Sequence, residues 1–437
     1  RDKVTEAGNE VICNIQPKFI VSNMVIAPVA DTQPERYISV HKFWFKFFGQ
    51  WYNSYPVLTV IFWLHLVYRM LIWWLLSVFP VGGEIIFLYH TGDDVGKVAE
   101  GLYLMLSEAY MGFKLIAFMY NRKKVLLLIN HLKSEAFYAT EPEHTTFIKM
   151  SIRKAHPLTQ FSFTIFCLIS VGCLIPITEK FEILPTNVKY PYFDAMTNPA
   201  YSIVYLLQIY SKTSVVLLDG ALDTIVPAFI IAALGQLDIL TFNLENIQML
   251  SERQHAKQKA RRINEARWGG ILTKGDCSLK AVIKQKLGEY INHHISIISY
   301  ISKVEDAFSA AAAIQFMLSG LVICLIGIQI LSIENPLNHP LQFLWMLFYF
   351  ACMMLEVFML CWFGNELINK STDLQRAAFN SSWPDCTEDV KRSIKIFAER
   401  SKKPLRLTAG KIFILSLDTF TNVGAMTWSF QNFWETV

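Results

Sequence analysis

Five ionisable side chains stand inside long apolar stretches: Glu108, Lys114, Lys212, Asp219 and Asp223. A charge in hydrocarbon is costly. Such residues either line a water-filled vestibule, where they act as handles for a ligand, or pair with one another in the interior of a helix bundle. Lys212 needs an acid on a neighbouring helix for the second role. Asp219 and Asp223 are one helical turn apart and are expected near the cytoplasmic boundary of the membrane, within reach of solvent. Enzymatic chemistry has no comparable signal. No H-E-x-x-H, G-x-S-x-G or P-loop pattern occurs, and His293-His294 are adjacent, without the spacing of metal ligands. No catalytic residue, metal or cofactor is expected.

The elements that must hold these charges are membrane helices. Of 437 residues, 53% are hydrophobic and 17% charged, against about 25% charged in an ordinary soluble domain. The apolar residues gather into runs that read as seven spans. These are Val57 to Pro80, Val98 to Tyr120, Leu158 to Ile177, a fourth from Tyr201, Phe308 to Leu331, Leu341 to Phe363, and Lys411 to Phe433. Residues 1–56 lack the compact apolar core of a secretory signal. The fold class is therefore all-α, a polytopic seven-helix membrane protein. Nucleic acid is not a partner for such a chain.

Loop charge sets the expected orientation. Segments 1–56, 121–155, 246–302 and 366–410 hold 6, 7, 10 and 9 Lys and Arg, whereas the alternate loops hold three in all, Lys97, Lys180 and Lys189. The basic set belongs in the cytoplasm, so the N-terminus is expected inside and the C-terminus outside, the reverse of a G-protein-coupled receptor. None of the eight cysteines falls in an expected outer loop, so no extracellular disulfide framework is expected.

Two helical runs outreach the bilayer. Tyr201 to Leu244 is mostly apolar with a single proline, Pro227. At 1.5 Å per residue it spans about 66 Å, twice the hydrocarbon thickness. Before span five, Ile291, Ile295, Ile298 and Ile301 recur with helical spacing. Between spans six and seven, Val390, Ile394 and Phe397 do the same. These segments are expected to form a cytoplasmic helical anchor bundle, serving either subunit assembly or only the burial of its own faces. The expected division is 1–56, cytoplasmic; 57–244, spans one to four; 245–302, loop and anchor helix; 303–365, spans five and six; 366–410, anchor helix and linker; and 411–437, span seven.

Two tracts resemble a known family. Phe363-Gly364-Asn365-Glu366-Leu367-Ile368 with Ser371, Leu374, Ala377-Ala378-Phe379 and Trp383 is one. The block Arg400 to Lys411 followed by Leu415-Ser416-Leu417-Asp418-Thr419-Phe420 is the other. Together they resemble the approach to the last helix of insect odorant receptors. Gustatory receptors share the architecture, but their last-helix pattern of Thr-Tyr, a five-residue gap and Gln-Phe is absent. The resemblance implies a ligand-gated cation channel, tetrameric, with a central pore lined by the last helix and a shared co-receptor as partner. The co-receptor carries a long insertion between spans four and five. The loop here, about 245–282, is short and basic, so the chain resembles an odour-tuned subunit of a sensory-neuron plasma membrane.

That resemblance implies roles for particular residues. Phe433 and Val437 share one helical face and fall on the co-receptor's apolar gate positions, where a ring can close a pore by dewetting. Thr436 stands where the co-receptor carries a polar amide, and Gln431 is a second polar lining candidate. Membrane-interface aromatics are the alternative reading of this end. A small, volatile, apolar odorant requires an apolar pocket with one or two polar handles. The outer halves of the spans supply Leu102, Met105 and Leu106; Phe166, Ser170 and Cys173; Tyr205 and Ile209; and Trp345, Phe348 and Tyr349. The alternative for any one of them is helix–helix packing. The run Lys257, Lys259, Arg261, Arg262 and Arg267 is either a site for anionic membrane lipid or a solvated loop.

Overall fold

The computed structural model describes residues 33–51, 60–74, 78–91, 95–174, 184, 186, 188–190, 196–197, 200–267, 278–331, 333, 340–381 and 383–425. The chain is helical almost throughout. In order, the helices are α1 (Ser39–Phe47), α2 (Val60–Trp73), α3 (Phe79–His90), α4 (Val95–Tyr120), α5 (Arg122–Leu132), α6 (Pro142–Leu174), α7 (Ala200–Glu245), α8 (Ile247–Arg267), α9 (Leu279–Leu331), α10 (Pro340–Asn380) and α11 (Glu388–Ser401). A two-residue hairpin, β1 (Thr408–Ala409) with β2 (Phe413–Ile414), follows. A last helix, α12, begins at 417 and continues to the end of the described residues at 425.

Four segments are long and apolar enough to cross a membrane by length and composition alone: Gly101–Tyr120, Ala200–Glu245, Leu279–Ile330 and Phe343–Asn380. α7, α9 and α10 have 46, 53 and 41 residues, so they run about 69, 80 and 60 Å. Each is long enough to cross a bilayer and to project well beyond it. The end where α7 and α10 start and α9 finishes is here called the head. The opposite end, where the overhanging halves gather, is the base.

Several boundaries differ from the sequence reading, for local reasons. Pro80 does not close the first span. It sits in the first turn of α3, where a missing N–H costs nothing, and that helix runs on to His90. α6 starts at Pro142 rather than near 158 and carries Pro157 inside it. Span five and the stretch before it are one uninterrupted helix. Span six continues through the charged tract to Asn380. The presumed basic loop is helical as far as Arg267. The last helix starts at 417 rather than Lys411, because Gly410 and Lys411 both have positive φ (63° and 60°) and turn the chain into the hairpin.

The base is packed as a soluble core. α7 runs through its middle, with Leu218, Phe229, Ile230, Ala233, Leu237 and Leu240 fully buried. Around it lie Ile148 and Ile152 of α6, Ile297, Tyr300 and Val304 of α9, Leu367, Leu374 and Ala378 of α10, and Val390, Ile394 and Phe397 of α11, all in one cluster. The overhanging apolar faces therefore bury one another within a single chain. Exposed apolar side chains remain at Ile295, Phe379 and Ile396. Several buried polar groups in the base are paired. His144 Nε2 meets Asn243 Oδ1 at 2.7 Å and His293 Nε2 donates to Gln236 Oε1 at 3.0 Å. Burial holds His293 down at about 3 and His294 at about 4, so both are neutral.

α1 is amphipathic. His41 and Phe45 face inward while Phe43 and Phe47 are exposed. Phe45 stacks on Phe118 of α4 at 4.5 Å. His41 Nε2 donates to Thr224 Oγ1 of α7 at 2.9 Å, and complete burial lowers its pKa to about 4. On α2, Val60, Trp63, Leu64, Val67 and Met70 are exposed, a lipid-facing surface for a helix in a membrane.

Candidate functional site

In the head, α4, α9 and α10 form one apolar cluster. Tyr103, Val322, Ile323, Ile326 and Met353 are buried in it, with Leu106 and Tyr349 packed against them. Tyr349 donates its hydroxyl to Ser107 Oγ at 2.9 Å, and its ring lies 5.6 Å from that of Tyr103. Trp345 is a ring neighbour of Phe348 and Tyr349 along α10. Tyr205 belongs to a different cluster, with Tyr201, Val204, Leu184, Val188 and Tyr190. The structure thus brings Leu106 and Tyr349 together and sets Tyr205 apart, across α7. Leu102, Met105, Ile209 and Phe348 are half-buried on the same helices. The side chains of Phe166, Ser170 and Cys173, and all of Gln431, Phe433, Thr436 and Val437, lie outside the described residues. Reasoning from sequence missed the α9 contribution, although Leu318, Val322, Leu325 and Ile326 carry the helical spacing that signals it.

The intramembrane charges resolve into two levels. At the upper level Lys212 of α7 binds Glu84 of α3 at 2.7 Å and also Glu108 of α4. All three side chains are at least nine-tenths buried. Deeper, Lys114 of α4 reaches Asp219 at 2.7 Å, Asp223 at 2.5 Å and Glu356 of α10 at 2.7 Å. Gln315 of α9 donates to Glu356 at 2.6 Å and to Asp223 at 3.2 Å, and the Tyr110 hydroxyl donates to Glu356. Paired, inward-facing charge is therefore what the helices contain. The expectation that solvent reaches Asp223 fails: its side chain is 1% exposed. Pro227, one turn on, has no N–H to give the Asp223 carbonyl, which loosens the α7 ladder at that point.

Glu84, Gln315 and Glu356 were not foreseen. Glu84 and Glu356 had a visible signal, each being a lone acid in an apolar run. A cavity of about 30 Å³ adjoins the deeper cluster, lined by Lys114, Phe118, Leu222, Phe308, Gln315 and Leu360 among others. It has room for about two waters. None of the eleven candidate ligand residues lines it.

The motif-bearing tract forms a clip between the base and α12. Ser371 of α10 accepts the Leu405 N–H at 2.9 Å. The Ser309 backbone carbonyl of α9 accepts the Gly410 N–H at 2.8 Å, and the Thr408 hydroxyl donates to Glu305. The Leu415 backbone lies directly on Gly364, so close that a Cβ there would collide with its carbonyl oxygen. The chain entering α12 is thereby fastened to both α9 and α10.

This arrangement is that of a polytopic helical membrane protein whose intramembrane charges, among the described residues, pair with one another. The family model for the 7tm odorant receptor matches residues 94–428, and the chain belongs to that family. It is 22% identical over 359 residues to odorant receptor 13a of Drosophila melanogaster, covering 77% of this chain and 79% of that one. It is also 22% identical over 295 residues to the odorant receptor coreceptor of Anopheles gambiae, covering 55% and 60%. Among solved structures it is similar to the olfactory receptor OR5 from Machilis hrabei in complex with eugenol. The TM-score is 0.72 at 15% identity, covering 92% of this chain and 98% of that one. The chain is an odorant receptor by family and fold, and not an enzyme.

Proposed function

We propose that this chain is the odour-binding subunit of a tetrameric, ligand-gated, non-selective cation channel that works with a shared co-receptor. The observation that carries the reading is the clip. The family match runs unbroken from α4 into α12, and the segment entering α12 is fastened to α9 and α10, two helices that also form the head. A change in the head is thereby passed along rigid helices to the last one. The ligand is a small apolar odorant held among Leu102, Met105, Leu106, Phe166, Ser170, Cys173, Tyr205, Ile209, Trp345, Phe348 and Tyr349. Phe433, Val437, Thr436 and Gln431 line and close the pore. The head faces outward and the base the cytoplasm, as the basic loops favour, in the plasma membrane of a sensory neuron. Exposed Ile295, Phe379 and Ile396 leave apolar surface on the base for neighbouring subunits.

Current recording tests this, in cells expressing the chain with and without a co-receptor, against an odour panel. The expected result is an odour-evoked cation current that needs the co-receptor and survives G-protein blockade. An N-terminal epitope is expected to be reached only after permeabilisation. A current abolished by G-protein blockade, or none with any partner, refutes the reading. A gustatory-type channel is the second reading; it would open to tastants rather than volatiles.

A further inference from the structure

A collar of cations stands where the base meets the apolar spans. Lys149, Arg153 and His156 recur along one face of α6, and Lys154 flanks them. His156 donates its Nε2–H to the Arg36 carbonyl at 2.8 Å, which brings the approach to α1 onto this face. Arg36, Lys149, Arg153 and Lys154 are all exposed. Over residues 34–47 and 144–174 the cations are Arg36, Lys42, Lys46, Lys149, Arg153 and Lys154, and the single acid is Glu35. Glu35 is already engaged by Lys42 at 3.0 Å and Lys133 at 2.6 Å. Among the described residues, Lys149, Arg153 and Lys154 meet no acid.

An apolar wall rises above these cations. Trp44 of α1 stacks on Phe163 of α6 at 5.1 Å, and Phe43 and Phe47 meet Trp44 edge-on at 5.4 and 5.9 Å. Phe43 and Phe47 are nonetheless 61% and 59% exposed, and Phe161 is 57% exposed. The wall stands where the spans begin. Phe45 stacks on Phe118, close to the end of α4 at Tyr120, and the apolar run of α6 opens at Leu158, just after His156. The basic run of α8 stands elsewhere. Arg253 and Lys257 meet Glu143 and Glu141 at the start of α6, about 20 Å below His156 along that helix. That is more than twice the Debye length of about 8 Å, so this run begins outside the field of a bilayer surface.

We propose that the collar of Arg36, Lys149, Arg153 and Lys154, with Phe43, Phe47 and Phe161 above it, binds an anionic phospholipid of the cytoplasmic leaflet. This rests on the orientation given above, with the base toward the cytoplasm. Lipid is the occupant that matches both halves of the surface. Its phosphate and headgroup carboxylate accept N–H from the cations, as charge-assisted hydrogen bonds. Its acyl chains lie on the exposed aromatic wall, which is continuous with the lipid-facing side of the spans. A bound lipid ties α1 to α6 at the point where both enter the membrane. A zwitterionic lipid brings the same chains but no net charge to set against the collar.

The test is binding of dioctanoyl phosphatidylserine and dioctanoyl phosphatidylcholine to the purified full-length chain in non-ionic detergent at low salt. The serine lipid is expected to bind at least about tenfold more tightly, each cation beside an anionic headgroup being worth about fivefold. Joint replacement Lys149→Gln, Arg153→Gln and Lys154→Gln removes exposed charges only, and is expected to bring the ratio to within about threefold with melting unchanged. Phe43→Ser with Phe47→Ser is expected to weaken both lipids and keep the ratio. Lys257→Gln, Lys259→Gln and Arg262→Gln on α8 are expected to leave it untouched. Equal binding of the two lipids to wild type, a ratio that survives the α6 variant, or one lost in the α8 variant overturns the proposal. Glycerophosphoserine, which has the headgroup without the chains, is expected not to displace the lipid; displacement at the lipid's own concentration shows a site for free phosphate and overturns it too. An anionic preference in a chain whose N-terminal epitope is reached in intact cells upholds the lipid site and overturns its assignment to the cytoplasmic leaflet.

Discussion

Replacing Lys114 with Met tests whether the deeper charge cluster holds α4, α7 and α10 together. The side chain makes three ionic contacts, to Asp219, Asp223 and Glu356, at 2.7, 2.5 and 2.7 Å. At an effective dielectric of about 20, each such contact is worth about 6 kcal/mol before desolvation and the mutual repulsion of the acids are counted. Losing the shared cation leaves three carboxylates facing one another, with Asp223 and Glu356 buried. Breaking a buried pair from one side costs about 3–5 kcal/mol net, and Lys114→Met is expected at the upper end of that range. Glu356→Gln in the same chain removes one of the unpaired buried charges while keeping the side chain's shape, so the double variant is expected to recover part of the loss. The assay is thermal unfolding of detergent-solubilised protein by size-exclusion profile, with all three variants forming a double-mutant cycle. Equal melting of wild type and Lys114→Met, or additive losses in the double variant, would show that the cluster does not bind the helices as described.

Gly364→Ala places a methyl group against the Leu415 carbonyl and is expected to cost about 1–3 kcal/mol and to blunt odour-evoked current at matched surface expression. Ser371→Ala leaves the buried Leu405 N–H without its acceptor, an expected loss of about 1–3 kcal/mol seen as a lower melting temperature. The base is expected to weaken on acidification. His41, His293 and His294 are held at about 4, 3 and 4 against about 6.5 in the unfolded chain. Unfolding therefore takes up protons once the pH falls below about 6.5. Stability is full above that pH and is lost toward pH 4, by up to about 1.4 kcal/mol per pH unit for each histidine. His293→Gln is expected to flatten the pH dependence of melting, and an unchanged slope would contradict the assignment.

Much of the helix plan was legible. Hydropathy has a local period, so the long apolar run of α7 and the isoleucine face before span five could be read without knowing their neighbours. Boundaries were less legible where one residue type has two uses. Pro80 reads as a helix end but serves as a helix start, and Gly410-Lys411 lies inside an apolar-flanked block yet turns the chain through left-handed backbone. The tracts around Gly364 and Ser371 identified the family without explaining themselves. Their reasons are contacts across space, a carbonyl pressed on a glycine and a hydroxyl taking a distant N–H.

The amino-acid order alone determined that the chain is a helical membrane protein, which stretches outrun a bilayer, and that charges had to be accommodated inside it. Which charge meets which was decided only by the tertiary structure. Lys212 and Glu108 are 104 residues apart in the chain, and Tyr110 and Glu356 are 246 apart. No local pattern encodes such pairings. They follow from the register in which α3, α4, α7, α9 and α10 pack, and from the cost of leaving any ion among them unpaired.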